Sequence, residues 1–168
     1  MRNPKNITLP VIKIITTINA PIERCFDLSR SIDLHMVSTK HTNEIAIAGR
    51  TSGLIELNET VTWRAKHLSV WQTLSSLITE FKAPYFFVDE MVAGAFKSFR
   101  HEHHFETQAG STVMTDLFKY KSPLGFVGEL FNTLFLTDYM RRLFEKRNAV
   151  IKEYAESEEW RKIIPQSV

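Results

Sequence analysis

The rhythm of apolar and polar residues changes along this chain, and each change marks a new kind of element. Residues 11–19 are rich in β-branched side chains, which suit a pleated surface. Ala20-Pro21-Ile22-Glu23 then carries helix signals: Pro at a first helical position, an acid in the first turn, and Ile22, Cys25 and Phe26 at helical spacing. A second short helix is predicted over 32–37. From residue 43 the pattern is strand and turn. Strands are predicted over 44–48, 54–68, 70–82, 85–92, 95–107 and 111–121, with turn clusters at 49–53, 93–94 and 108–110. Short connections imply antiparallel pairing.

After Ser122-Pro123 the helical period returns. Met140, Leu143, Phe144, Val150, Ile151 and Tyr154 form one apolar stripe. Ahead of it, 124–139 is unusually apolar and reads as a cover for the open end of the sheet; an entrance flap that touches a membrane or a partner is the alternative. Only the long helix is big enough to cover the apolar face of such a sheet. The expectation is an α+β helix-grip architecture: one domain over 1–168, in which a curved antiparallel sheet of about seven strands wraps a long C-terminal helix.

Composition narrows the function. Hydrophobic residues make up 43% of the chain, and 12 Phe, 3 Trp and 4 Tyr promise an aromatic core. A net charge of +2, with no basic stripe interleaved with aromatics, argues against nucleic acid as partner. The basic run Arg141, Arg142, Lys146 and Arg147 reads as a solvated helix face. The single cysteine, Cys25, excludes an intrachain disulfide and sits at an apolar position, as a small core residue would. Arg2 and Lys5 before the apolar stretch 9–20 outline a signal peptide, but Lys13, Thr16, Thr17 and Pro21 fit a first strand better. No stretch approaches the ~20 apolar residues of a membrane span. A cytoplasmic location is expected.

The strand carrying Phe99, His101, His103 and Phe105 is the most informative segment, because those four share one face. Ser98, Arg100, Glu102 and His104 take the other. A four-residue loop over 108–111 pairs Thr107 with Thr112. Counting back sets Phe105 opposite Met114, His103 opposite Asp116, His101 opposite Phe118 and Phe99 opposite Tyr120. If this is the inner face, its charges need partners. Asp116 can pair with His103, and Arg147, on the helix stripe, needs a carboxylate, a carbonyl cluster or an anionic ligand. Three roles are open to this group: a structural network, the polar end of a ligand pocket, or acid–base work in which His101 or His103 moves a proton and Asp116 orients the imidazole. His101-x-His103 with Asp116 also has the composition of a two-His-one-carboxylate metal site. Trp63 reads as core or as a ligand-stacking residue, and His67 as pocket rim or exposed. His35 and His41 have no partner visible from spacing. No Gly-x-Ser-x-Gly or phosphate-cradling loop is present.

The order of elements resembles the START/polyketide-cyclase-like (SRPBCC) superfamily, the helix-grip fold. Local segments resemble it too: residues 18–28 around Ala20-Pro21, with Phe26 three residues after Glu23; Val61-Thr62-Trp63; Phe99-Arg100-His101-Glu102-His103; Met114-Thr115-Asp116; and Ser122-Pro123-Leu124-Gly125 ahead of the helix with Arg147-Asn148. The last four look like a bacterial subgroup. The resemblance implies an internal pocket for a lipid, sterol, quinone or polyketide-like compound, and some members of the superfamily are cyclases or dehydratases. The resulting expectation is a binding protein rather than an enzyme, with no catalytic residue, metal or cofactor. Trp63, Phe86, Val88, Phe99, Phe118, Leu143 and Phe144 are expected to form the apolar lining, and His101, His103, Asp116 and Arg147 to supply polar discrimination. A cyclase or dehydratase using the same polar group is the alternative, and an interaction module acting through 124–139 a third reading.

Overall fold

Residues 10–67, 69–121 and 135–164 are described by a computed structural model. Its elements are β1 (Val11–Ile18), α1 (Ile22–Ser29), α2 (Ile32–Ser38), β2 (Ile45–Gly49), β3 (Thr60–His67), β4 (Val70–Lys82), β5 (Phe86–Ala93), β6 (Ser98–Gln108), β7 (Ser111–Lys121) and α3 (Thr137–Glu156). The seven strands form one antiparallel sheet in the order β1-β7-β6-β5-β4-β3-β2. From β2 to β7 each strand pairs with the next in sequence, and β1 pairs with β7. The helix α3 packs on β1, α1 and α2. This is the expected curved sheet around a long helix. The apolar stretch 124–139 falls largely outside the described residues; Leu136 and Tyr139 are inside them. No helix among the described residues is long and apolar enough to cross a membrane.

The expected β6–β7 register holds at every position, from Thr107–Thr112 back to Phe99–Tyr120. The connection is tighter than expected. Gln108 pairs with Ser111, so only Ala109 and Gly110 turn the chain, with φ of 48° and 83°. Two successive positive φ values match the twist of the flanking strands. The strand expected over 54–68 begins only at Thr60. Ile32 N–H donates to Gly53 O and Ile55 N–H to Arg30 O, so residues 53–55 spend backbone groups on the α1–α2 junction. Asn58, at φ 65°, then turns the chain into β3.

Two apolar clusters fill the concave side. Phe26 of α1 is the hub of the first, with edge-to-face contacts to Phe81, Phe87 and Phe105 at ring-centre distances of 5.3, 5.6 and 5.5 Å. Cys25 lies in the same cluster, as expected, and burial pushes its thiol pKa up. The second cluster joins Ile12, Phe99, Phe118 and Tyr120 of the sheet to Met140 and Phe144 of α3. Along β6, Phe105 belongs to the first cluster and Phe99 to the second. His101 and His103 therefore lie between them, and Asp116 lies likewise between Met114 and Phe118 on β7.

Removing the hub ring should leave a cavity that its neighbours cannot close. Phe26→Ala is expected to cost about 3–5 kcal/mol of stability. Urea unfolding should show a lower midpoint at an unchanged slope.

Candidate functional site

Asp116 is the centre of the site. It is 1% exposed, and three cationic or protonatable groups converge on its Oδ1: His103 Nδ1 at 2.7 Å, His101 Nε2 at 3.3 Å and Arg147 Nη1 at 3.7 Å. One oxygen cannot align with all three, and none of these approaches has hydrogen-bond alignment. The pairing is electrostatic. Asp116 Oδ2 accepts from Asn148 Nδ2 at 2.6 Å, and Arg147 Nη2 donates to Ser29 O at 2.8 Å. Thus α3 sends two adjacent side chains into the sheet.

Strand β5 supplies the fifth ionisable group. Its register sets Phe87 opposite His103 and Asp89 opposite His101. Asp89 Oδ1 lies 3.1 Å from His103 Nε2 and 3.7 Å from His101 Nδ1. The Phe87 ring stacks on His103 at 4.2 Å. His103 thus lies between two carboxylates, and both its nitrogens can donate. Burial alone would lower its pKa, but the carboxylates of Asp116 and Asp89 beside its two nitrogens raise it above the usual imidazole value. His101 moves the other way, to about 4, driven by burial and by the neighbouring charge on His103. Both carboxylates stay ionised: burial opposes this, and the two imidazoles outweigh it. With a proton on His103 the charges balance, two carboxylates against Arg147 and the imidazolium, and burial opposes a further proton on His101.

A cavity of about 610 Å³ lies beside this group, within the range of small-molecule pockets. Of the expected apolar lining, Trp63, Phe99, Phe118, Leu143 and Phe144 border it. Of the expected polar set, His101 and Arg147 border it, joined by Asp89; His103 and Asp116 stand behind them. Phe86 and Val88 do not border it, which corrects the expected lining. Phe86 pairs with His104 and Val88 with Glu102, both on the outer face, where Arg100 bridges Glu80, Glu90 and Glu102. The run Phe86-Phe87-Val88 has no alternation from which to read a face, so the inward set, Phe87 and Asp89, was missed. Asn148 was also missed as a site residue, although it lies four residues after Phe144 and three before Ile151 on the buried stripe. The basic run on α3 divides: Arg142 pairs with Asp138 at the surface, and Arg147 turns inward.

Asp89, His101 and His103 each offer a ligand atom, all within 4.8 Å of one another. This set suits zinc or non-haem iron, and it uses Asp89 where the sequence pointed to Asp116. A cation there would share the cluster with the Arg147 charge and displace the His103 proton. The expectation of a binding protein without catalytic groups is corrected by this cluster. Five interconnected ionisable groups, two of them imidazoles with opposite pKa shifts, form a set equipped for acid–base or metal chemistry.

No family model matches the chain, and no curated protein matches its sequence. Solved structures do match. The protein TTHA0849 from Thermus thermophilus superposes with a TM-score of 0.71 at 16% identity, over 87% of this chain and 97% of that one. Ginseng major latex-like protein 151 from Panax ginseng gives 0.65 at 13% identity, over 88% and 98%. Protein Ms6760 from Mycobacterium smegmatis gives 0.63 at 15% identity, over 85% and 88%. The chain shares the helix-grip fold of these structures.

The opposed histidine shifts set the pH dependence of stability. His103, raised, stabilises fully below pH 6.5, and that contribution is lost as pH rises through its folded value. His101, lowered, resists protonation until about pH 4, so stability falls as pH drops from 6.5 towards 4. The depressed carboxylates add a further loss at lower pH still. Stability should therefore peak between pH 6.5 and the His103 midpoint. Imidazole ¹⁵N titration should find one ring with a midpoint near 4 and one above 6.5, and Asp116→Asn should lower the second.

Proposed function

We propose that the protein is an enzyme that performs acid–base chemistry on an apolar carbonyl compound held in the cavity, a reaction of cyclase or dehydratase type. The observation that carries this reading is the placement of the His101 imidazole at the cavity wall beside the Arg147 guanidinium, where burial and the neighbouring His103 oppose its protonation. Of the two His101 nitrogens, Nε2 lies 3.3 Å from an Asp116 oxygen and Nδ1 3.7 Å from an Asp89 oxygen, so in this reading Nε2 carries the proton and Nδ1 the lone pair. In this reading Nδ1 removes a proton from the carbon next to the carbonyl. The electron pair of that C–H bond moves to the carbonyl oxygen, where Arg147 stabilises the charge. Asp116 fixes the His101 ring, and the imidazolium returns its proton to the product. Attack of the enolate carbon on a second carbonyl closes a ring; loss of water from the resulting alcohol completes a dehydration.

Apolar burial supplies the binding, at roughly 25 cal/mol per Å² before ordering costs. Trp63, Phe99, Phe118, Leu143 and Phe144 would contact the apolar body of the ligand. His103, Asp116 and Asp89 would set the charge state of His101.

The test uses 2-acetonaphthone, a rigid aromatic ketone with exchangeable protons beside its carbonyl. In D₂O the protein should accelerate deuterium uptake at that methyl group. His101→Gln should reduce the acceleration by about 100-fold or more, with the ketone's Kd and the melting temperature little changed. The rate should rise with pH through about 4 and then level off. A bound ketone that exchanges no faster with the native protein than with His101→Gln would overturn the reading.

A further inference from the structure

A second polar wall of the same cavity takes no part in the chemistry of His101. Glu44, immediately ahead of β2, is 9% exposed and borders the cavity together with His35, His67 and Tyr139. Burial opposes ionisation of its carboxylate, and His35, with smaller contributions from His67 and Thr39, outweighs that and holds its pKa below the usual value. Yet His35 Nε2, 3.4 Å from Glu44 Oε2, is buried without an aligned hydrogen bond. The His35 ring is held by Trp63, on which it stacks at 4.2 Å. The Thr39 hydroxyl, also at this wall, donates to His35 O at 2.9 Å. Beside Glu44, His67 Nδ1 and Tyr139 Oη lie 2.8 Å apart. Burial lowers the pKa of His67 and raises that of Tyr139, so both are neutral at pH 7 and can either donate or accept. The wall is a buried acceptor carboxylate beside an imidazole nitrogen that makes no aligned hydrogen bond, flanked by two adaptable groups.

We propose that this wall is a second subsite, which takes a hydroxyl of the same molecule whose carbonyl reaches His101 and Arg147. The ligand is then an apolar, ring-containing carbonyl compound with a hydroxyl at its far end, the O–H donating to Glu44 and its oxygen facing Tyr139 and His67. The spacing suits such a molecule. His67 is on β3 and His101 on β6, three strand positions apart in the sheet. At ~4.8 Å per strand that is about 14 Å along the sheet, and less across its curve. Two fused rings with a substituent at each end span that order of distance. A neutral hydroxyl fits better than an ammonium group, since an ion entering between Trp63, Leu136 and Met140 would shed its water at a large cost. The assignment of the carbonyl end rests on the reaction proposed above; the hydroxyl subsite rests on Glu44 and its neighbours.

The test compares 2-acetonaphthone with 6-hydroxy-2-acetonaphthone, which differs only by a hydroxyl at the far end, using Kd values from fluorescence titration. The native protein should bind the hydroxy ketone about tenfold more tightly or better, as a hydrogen bond to a buried charge implies. Glu44→Gln should shrink that preference and Glu44→Met abolish it, while binding of 2-acetonaphthone stays within about twofold. Equal binding of the two ketones by the native protein would overturn the inference. So would a preference that survives Glu44→Met while the melting temperature drops, since Glu44 would then serve only to hold α2. Deuterium exchange separates the two proposals. Exchange without hydroxyl preference removes only the subsite, and preference without exchange removes only the base. If neither ketone binds, both fall.

Discussion

A carboxylate buried in the middle of a sheet must be neutralised where it stands, and the arrangement around Asp116 follows from that requirement. The residue faces inward because the β6–β7 register aligns it with His103, and that register is set by the two-residue turn at Ala109-Gly110. Its counter-charges then come from two directions. The neighbouring strand gives the His103 imidazole, with the neutral ring of His101 beside it. The helix gives Arg147 directly and Asn148 by hydrogen bond. Arg147 also reaches Ser29 O, so the first short helix is tied to the same point. One buried charge thus sets where α3 lies over the sheet. It also separates the two apolar clusters, leaving the cavity beside it.

The same charge count explains why two histidines two residues apart behave differently. His103 has a carboxylate oxygen within 3.1 Å of each nitrogen, so protonation adds two favourable contacts. Once His103 is charged, Arg147 completes the balance, and a further proton on His101 would place an unmatched cation between Phe118 and Phe144. A His-x-His sequence, placed between Asp89 and Asp116, becomes one imidazole whose protonation is favoured and one whose protonation is opposed. The second is the one at the cavity wall.

Much of this was legible in the sequence wherever a pattern was local. The strands of the β6–β7 hairpin alternate cleanly, and a slip of one residue would have turned Phe99, Phe105, Phe118 and Tyr120 to the outer face. Arg147 was legible as a charge interrupting an apolar stripe. Strand β5 was not, because Phe86-Phe87-Val88 suits either face and only pairing with β6 chooses between them. The start of β3 was obscured because Leu54 and Ile55 look like strand but bond to the α1–α2 junction. The Glu44 wall could not be read at all: its members come from four separate segments, and no spacing in the chain relates them.

Stability alone does not account for the Asp116 cluster. Replacing a buried ion network by well-packed apolar residues is often neutral or stabilising. With two aromatic clusters already flanking the position, apolar side chains at 101, 103 and 116 would join them into one core. The chain instead crowds three donors on one oxygen without good alignment. That geometry is poor for structural pairing and well suited to holding an imidazole neutral and reactive. The cavity wall carries the cost in stability, and a gain in chemistry is what would offset it.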